Sequence, residues 1–112
     1  MLPKKHRLKK KKEFDRVFKE GKAAKKDLLF IRFLKNNLET TRFGFIVSKK
    51  ISKKAVVRNK VKRRLREAAR EMLPKIKPGY DIVVVAQRGI EKLNFFQIKD
   101  NLKELLKKID LQ

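Results

Sequence analysis

Apolar positions recur along this chain with two periods, near 3.6 and near 2, and the switches between them mark out its elements. Phe14, Val17 and Phe18 stand at i, i+3 and i+4 ahead of Gly21, which predicts a short helix over residues 11–20. Residues 27–34, DLLFIRFL, read as a strand with Leu28, Phe30, Arg32 and Leu34 on one side and Leu29, Ile31 and Phe33 on the other. Asn36-Asn37 signals a turn, and residues 42–48 read as a second strand with Phe43, Phe45 and Val47 facing one way. Together the two strands suggest an antiparallel hairpin with a long loop. A central helix follows and ends before Pro74, Pro78 and Gly79. Residues 80–86, YDIVVVA, form a nearly continuous β-branched run, as expected of a strand covered on both faces. Asn94 and Gln97 make a capping-box pattern that opens a last helix, with Ile98, Leu102, Leu105, Leu106 and Ile109 on one side. The expected fold is an α/β (α+β) two-layer sandwich in the order α-β-β-(β)-α-β-α, the bracket marking one further possible strand. Its 112 residues suit a single domain.

The central helix carries the densest charge. Val57, Val61, Leu65, Ala68 and Met72 fall within about 80° of one helix face at about 100° per residue. Arg58, Asn59, Lys62, Arg63, Arg66 and Arg70 occupy an arc running away from that stripe, with Glu67 and Glu71 on one flank. Residues 49–70 hold eleven Lys and Arg against the single acid Glu67. A helix exposed only for solubility mixes both signs and uses Glu–Lys pairs one turn apart. Here like charges are massed, so the arc suits a polyanion. Its arginines can bind phosphate bidentately, its lysines add point charge, and Asn59 can make a directed contact.

Over the whole chain the formal charge is +22 and the pI about 10.7, which points to nucleic acid or an anionic surface. Residues 1–12 add seven cations and no acid, with only Leu2 and Leu8 to bury. Residues 1–10, with Lys4, Lys5, Arg7 and Lys9, are therefore expected to be a flexible basic arm. Cysteine is absent, no apolar run approaches the roughly 18 residues of a membrane span, and no apolar segment follows the basic N-terminus as in a secretory signal. A cytoplasmic protein without a membrane partner is the expectation. His6 is the one histidine and the acids are scattered, so no nucleophile–base pair, carboxylate cluster or phosphate-binding loop is evident. Asp81 beside Tyr80 is a single carboxylate. Phe14 and Phe18 read equally well as core or as a stacking surface for unpaired bases. An independent nuclease is thus disfavoured against an RNA-binding protein.

Residues 55–67, Ala55-Val56-Val57-Arg58-Asn59-Lys60-Val61-Lys62-Arg63-Arg64-Leu65-Arg66-Glu67, resemble the arginine–asparagine–arginine signature of the bacterial ribonuclease P protein subunit. Arg7-Leu8 ahead of Phe14 and Phe18, Phe43-Gly44 with Val47-Ser48-Lys49-Lys50, and the 80–86 strand match in the same order, so the resemblance spans roughly residues 7–109. Lys60 departs from the second arginine of the signature. The resemblance implies that the central helix lies in a left-handed crossover. It implies a large RNA subunit that carries the active site and holds the Mg2+, with no catalytic residue or metal in the protein and no obligate protein partner. Lys53, Lys54, Arg58, Asn59, Lys60, Lys62, Arg63, Arg66 and Arg70 would bind that RNA. A cleft with Phe14, Phe18, Arg32, Ser48 and Lys49 would hold the 5′ leader of precursor tRNA during its endonucleolytic removal. Arg32 stands where relatives can carry an aromatic residue. A ribosomal or general RNA-binding protein is the alternative.

Overall fold

The computed structural model describes residues 2–111. Its sheet is organised around the β-branched strand, β4 (Tyr80–Ala86). The chain reaches it through α1 (Lys11–Glu20), β1 (Lys22–Lys26), β2 (Leu29–Lys35), β3 (Arg42–Ile46) and α2 (Ala55–Met72), and leaves it into α3 (Phe95–Lys108). The strand order is β1-β2-β4-β3, with β4 antiparallel to β2 and parallel to β3. As expected for a nearly continuous β-branched run, β4 is interior in the sheet and covered on both faces.

That placement corrects the expected hairpin of the second and third strands. β2 and β3 do not pair, because β4 lies between them. The turn at Asn36-Asn37 is real, with Asn37 at φ 59, yet it steps across the start of β4 instead of folding β3 back. The Asn36 amide donates to Gly79 O at 2.9 Å, and its side chain donates to Asp81 at 2.8 Å. The further strand is β1, KAAKK, which comes ahead of the other two, whereas the expected order put it after them. It pairs with β2 through a tight turn in which Asp27 has φ 52. Being an edge strand of lysines and alanines, it lacks the apolar alternation that announces a strand, and its lysines protect the open edge.

α2 and α3 cover one face. Val61, Leu65, Ala68, Ala69 and Met72 of α2 join Ile98, Leu102, Leu105 and Leu106 of α3 over Leu29, Ile31, Phe43, Ile82 and Val84. The opposite face receives α1. Val17 packs on Val83 with Leu8, flanked by Phe14, Leu34, Ile46 and Val85. The two-sided reading of β2 therefore holds. The capping box of α3 is formed, with reciprocal bonds of 2.9 Å between Asn94 and Gln97.

Residues 2–10 correct the expectation of a free basic arm. Leu2, at 0% exposure, enters the main core and Leu8 enters the second cluster. Leu8 N donates to Phe43 O at 2.8 Å, Arg7 Nε to Leu2 O at 2.6 Å and His6 Nδ1 to Thr41 O at 2.7 Å. The two leucines find partners in the folded domain, and burying each outweighs ordering the few residues between them. Met1 lies outside the described residues.

Candidate nucleic-acid interface

Along α2 the two predicted faces separate. Val61, Leu65, Ala68 and Met72 are buried, Val57 is half-buried, and Ala69 joins them. Asn59, Lys60, Arg63, Arg66 and Arg70 are exposed and Lys62 is half-buried. Arg70 pairs with Glu67 at 3.1 Å, and Glu71 is taken by Lys99 of α3 at 2.9 Å. Lys60, Lys62, Arg63 and Arg66 meet no carboxylate among the described residues. Arg58 is different. Its Nη1 donates to Ser52 O and Lys53 O, each at 2.9 Å, and so folds the turn before α2 onto the first turn of the helix. Sequence reasoning placed Arg58 with the free cations, but on the wheel it borders the buried stripe. Its bonds instead orient exposed Lys53 and Lys54.

On the other face of the sheet, α1 stands over Gly44 and Val83. The Phe14 ring lies so close to Gly44 that a Cβ there would come within 2.4 Å of Cε1, so β3 passes under the ring only because that residue is glycine. Phe14 is half-buried, while Phe18, one turn on, is 37% exposed. The two phenylalanines thus divide the readings left open by their spacing. Phe14 is the more packed of the two, and Phe18 keeps part of its ring open to solvent.

Arginines from the sheet hold both ends of α1. At its start, Glu13 accepts from the amides of Lys10 and Lys9 at 2.9 and 3.0 Å and from Arg42 Nη1 at 2.7 Å. The Lys10 amide bond holds the Glu13 carboxyl below its ordinary value; the Lys9 amide and the Arg42 charge add to this, against an opposing burial effect. Arg42 also grips buried Asp81 with two bonds, of 2.8 and 2.7 Å. At the other end Arg32 Nη2 donates to Phe18 O and, at 3.0 Å, to Gly21 O. A guanidinium at a helix C-terminus meets the negative end of the helix dipole as well as its unpaired carbonyls.

Ser48 and Lys49, both exposed, lie where the chain leaves β3. They open onto two adjoining hollows. One, about 710 Å³, reaches from Lys25 and Leu28 past Ser48 to Val85. The other, about 740 Å³, is lined by Lys49, Lys50, Ser52, Lys53 and Arg88. Lys50 and Arg88 border both. Lys50 was read from the sequence only as part of a matching segment and Arg88 not at all; neither was given a site role. Arg88 stands alone in the loop after β4, so no charge run marks it; its one signal is a position just beyond the end of a buried strand, before Gly89 at φ 100. The cations of the arm gather at a further hollow, of about 310 Å³, lined by Lys4, Lys5, Arg7, Lys9 and Lys10.

No group of three or more metal-ligating side chains forms among the described residues. Asp81, their one buried carboxylate, accepts two bonds from Arg42 and one from Asn36. No helix among them is long and apolar enough to cross a membrane.

A model of the ribonuclease P family matches residues 2–110. The chain belongs to the ribonuclease P protein family. Ribonuclease P protein components of Clostridioides difficile and Picosynechococcus sp. are 42% and 41% identical to it over 105 residues. These alignments cover 93% of this chain and 91% of the first relative, and 94% and 90% for the second. The solved RNase P protein of Staphylococcus aureus is 31% identical, with a TM-score of 0.86 over 95% of this chain and 96% of that one. That of Thermotoga maritima is 34% identical, with a TM-score of 0.85 over 93% and 97%. The protein is accordingly a subunit of ribonuclease P, the tRNA-processing endoribonuclease whose catalysis resides in RNA, and it associates with the ribonuclease P RNA. The fold class expected from its sequence agrees with these structures, and the general RNA-binding alternative is set aside.

Proposed function

We propose that this ribonuclease P subunit binds the catalytic RNA through the outer face of α2 and holds the single-stranded 5′ leader of precursor tRNA along the groove between α1 and the sheet. The observation that carries the reading is the charge of Lys60, Lys62, Arg63 and Arg66, which meets no carboxylate among the described residues, on a helix seated by its opposite, aliphatic side. Such a face screens the repulsion between two RNAs, and counterions released from their phosphates drive the association. Lys53, Lys54, Asn59 and Arg70 extend it, and Arg58 serves by shaping the turn beneath Lys53. Phe18 offers a ring to a leader base, Phe14 supports that wall, and Ser48 and Lys49 lead the backbone toward Lys50 and Arg88. Lys4, Lys5, Arg7 and Lys9 add cationic surface from the seated arm. Mg2+ is held by the RNA, with the protein raising its occupancy indirectly by fixing the leader beside it. The setting is the cytoplasm.

The test is cleavage of precursor tRNA at low Mg2+ with a bacterial ribonuclease P RNA, with and without the protein. Stimulation by the protein, and no cleavage by protein alone, is the expected result; cleavage without the RNA, or no stimulation, contradicts the proposal. Phe18→Ala should weaken binding of leader-bearing precursor and spare mature tRNA, since a stacked base contributes about 1–3 kcal/mol. Equal losses for both RNAs would make Phe18 a packing residue.

A further inference from the structure

We infer that Arg32 is a positioning residue that never touches the leader: with Arg42 it clamps α1 at both ends, so that the wall carrying Phe18 is already built before RNA arrives. This rests on the leader-groove reading above and reassigns a residue whose charge and location suggest a phosphate contact.

The geometry argues for the clamp. Arg32 and Arg42 project from β2 and β3 on the face that α1 covers, since Leu29, Ile31 and Phe33 of β2, and Phe43 and Phe45 of β3, all turn toward the other core. Arg32 aims one nitrogen at two carbonyls, those of Phe18 and Gly21, where α1 ends. Its Nε is buried with no partner in the described structure, so that part of the guanidinium is turned away from solvent, where a phosphate could not reach it. Arg42 holds the first turn of α1 through Glu13 and is itself held by buried Asp81. Between the clamps, Phe14 rests on Gly44 and Val17 is wholly buried.

Swinging Arg32 out to meet a phosphate would strip the end of α1 of its donor. It would also release the carbonyl of Phe18, the residue whose ring is to stack. With Nη2 spent on these carbonyls and Nε buried, the side chain as it stands is committed to the end of the helix. Gly21 reinforces this end of the helix, because a Cβ there would come within 2.5 Å of Val17 O and 2.7 Å of Phe33 O. The turn out of α1 is therefore pressed directly against β2. A pinned wall binds unpaired nucleotides without first having to order itself.

The experiment uses holoenzyme reconstituted with a bacterial ribonuclease P RNA. Binding of leader-bearing precursor and of mature tRNA is measured across a salt series for wild type, Arg32→Ala, Phe18→Ala and the double variant. Affinity for the RNA subunit, read in parallel, reports whether α2 and its core are intact. Arg32→Ala is expected to lower precursor affinity by about fivefold to a hundredfold, the range a lost base stack spans, while mature tRNA and the RNA subunit bind as before. Its dependence of log affinity on log salt should stay parallel to wild type, and adding Arg32→Ala to Phe18→Ala should cost no more than about twofold beyond the single change. A salt dependence shallower by about one contact, or losses that multiply in the double variant, would show a direct phosphate contact and overturn the inference. So would wild-type precursor affinity in Arg32→Ala. If Phe18→Ala weakens both RNAs equally, the leader groove itself is refuted, and the inference falls with it. A leader-specific loss in Phe18→Ala beside a shallower salt dependence in Arg32→Ala overturns the inference alone.

Discussion

Gly44 and Glu13 show how closely single residues control the seating of α1. Gly44→Ala would drive a methyl group into the Phe14 ring and toward the α1 turn that carries it, so the ring must shift. Overpacking of this kind costs about 1–3 kcal/mol, so the variant's denaturant midpoint should fall with little change in slope. An unchanged midpoint would mean that the ring is free to move aside. Glu13 acts through its charge. Its carboxyl loses its proton at lower pH in the folded chain than in the unfolded one, so the unfolded state binds more protons between the two values and stability rises with pH across that window. The contribution is complete above the ordinary value of 4.5 and is lost as pH falls from there through the lowered folded value. Stability of Glu13→Gln should therefore decline less steeply than wild type below pH 4.5, as read from unfolding midpoints; parallel declines would mean the bonds to Lys10, Lys9 and Arg42 have no such effect. Neither role was visible in the sequence. Alternation puts Gly44 and Arg32 on a face, but it does not say which ring or carbonyl that face meets.

Among the elements, α2 was the most legible and β1 the least. The α2 stripe, from Val57 to Met72, repeats over about four turns and buries as its period requires, so both faces could be read without a partner in view. Of the residues assigned to its outer face, Arg58 was misread because it sits at the border, where one hydrogen-bonded turn decides whether a guanidinium points out or back. Arg63→Ala and Arg66→Ala should each weaken RNA-subunit binding and make its salt dependence shallower by about one contact, measured by titration at several ionic strengths. Loss of affinity with unchanged salt dependence would argue against phosphate contact. β1 carries no apolar alternation, because an edge strand that is largely exposed has no need of it. Strand order was illegible for another reason. Periodicity reports which side of a strand is buried, whereas the insertion of β4 between β2 and β3 is set by long-range pairing. Asn36 could have hinted at it only through its distant bond to Asp81.

For the molecule as a whole, a charge of +22 on 112 residues works against folding. Seven of the cations lie in residues 1–12 and eleven in residues 49–70, and the seated arm brings part of the first group toward the second: Arg7 and Arg66 border one hollow of about 110 Å³ with Leu2 and Phe14. Self-repulsion of this kind is relieved by counterions. The melting temperature of the free protein should therefore rise with ionic strength, followed by circular dichroism, and rise further with sulfate than with chloride at equal ionic strength. A melting temperature that falls as salt is added would mean that the ion pairs at Arg42 outweigh the repulsion.

The interior place of β4 also bears on how the protein is made. During synthesis the first half of the sheet, β1 with β2, can close as soon as it leaves the ribosome, whereas β3 has only the short bridge from Arg7 to Phe43 until β4 emerges. α2 is translated before that strand and has only part of its docking surface when it appears. For that interval the nascent chain displays a polycationic helix beside ribosomal RNA, so newly made subunits run the risk of capture by the wrong polyanion until the last strand arrives.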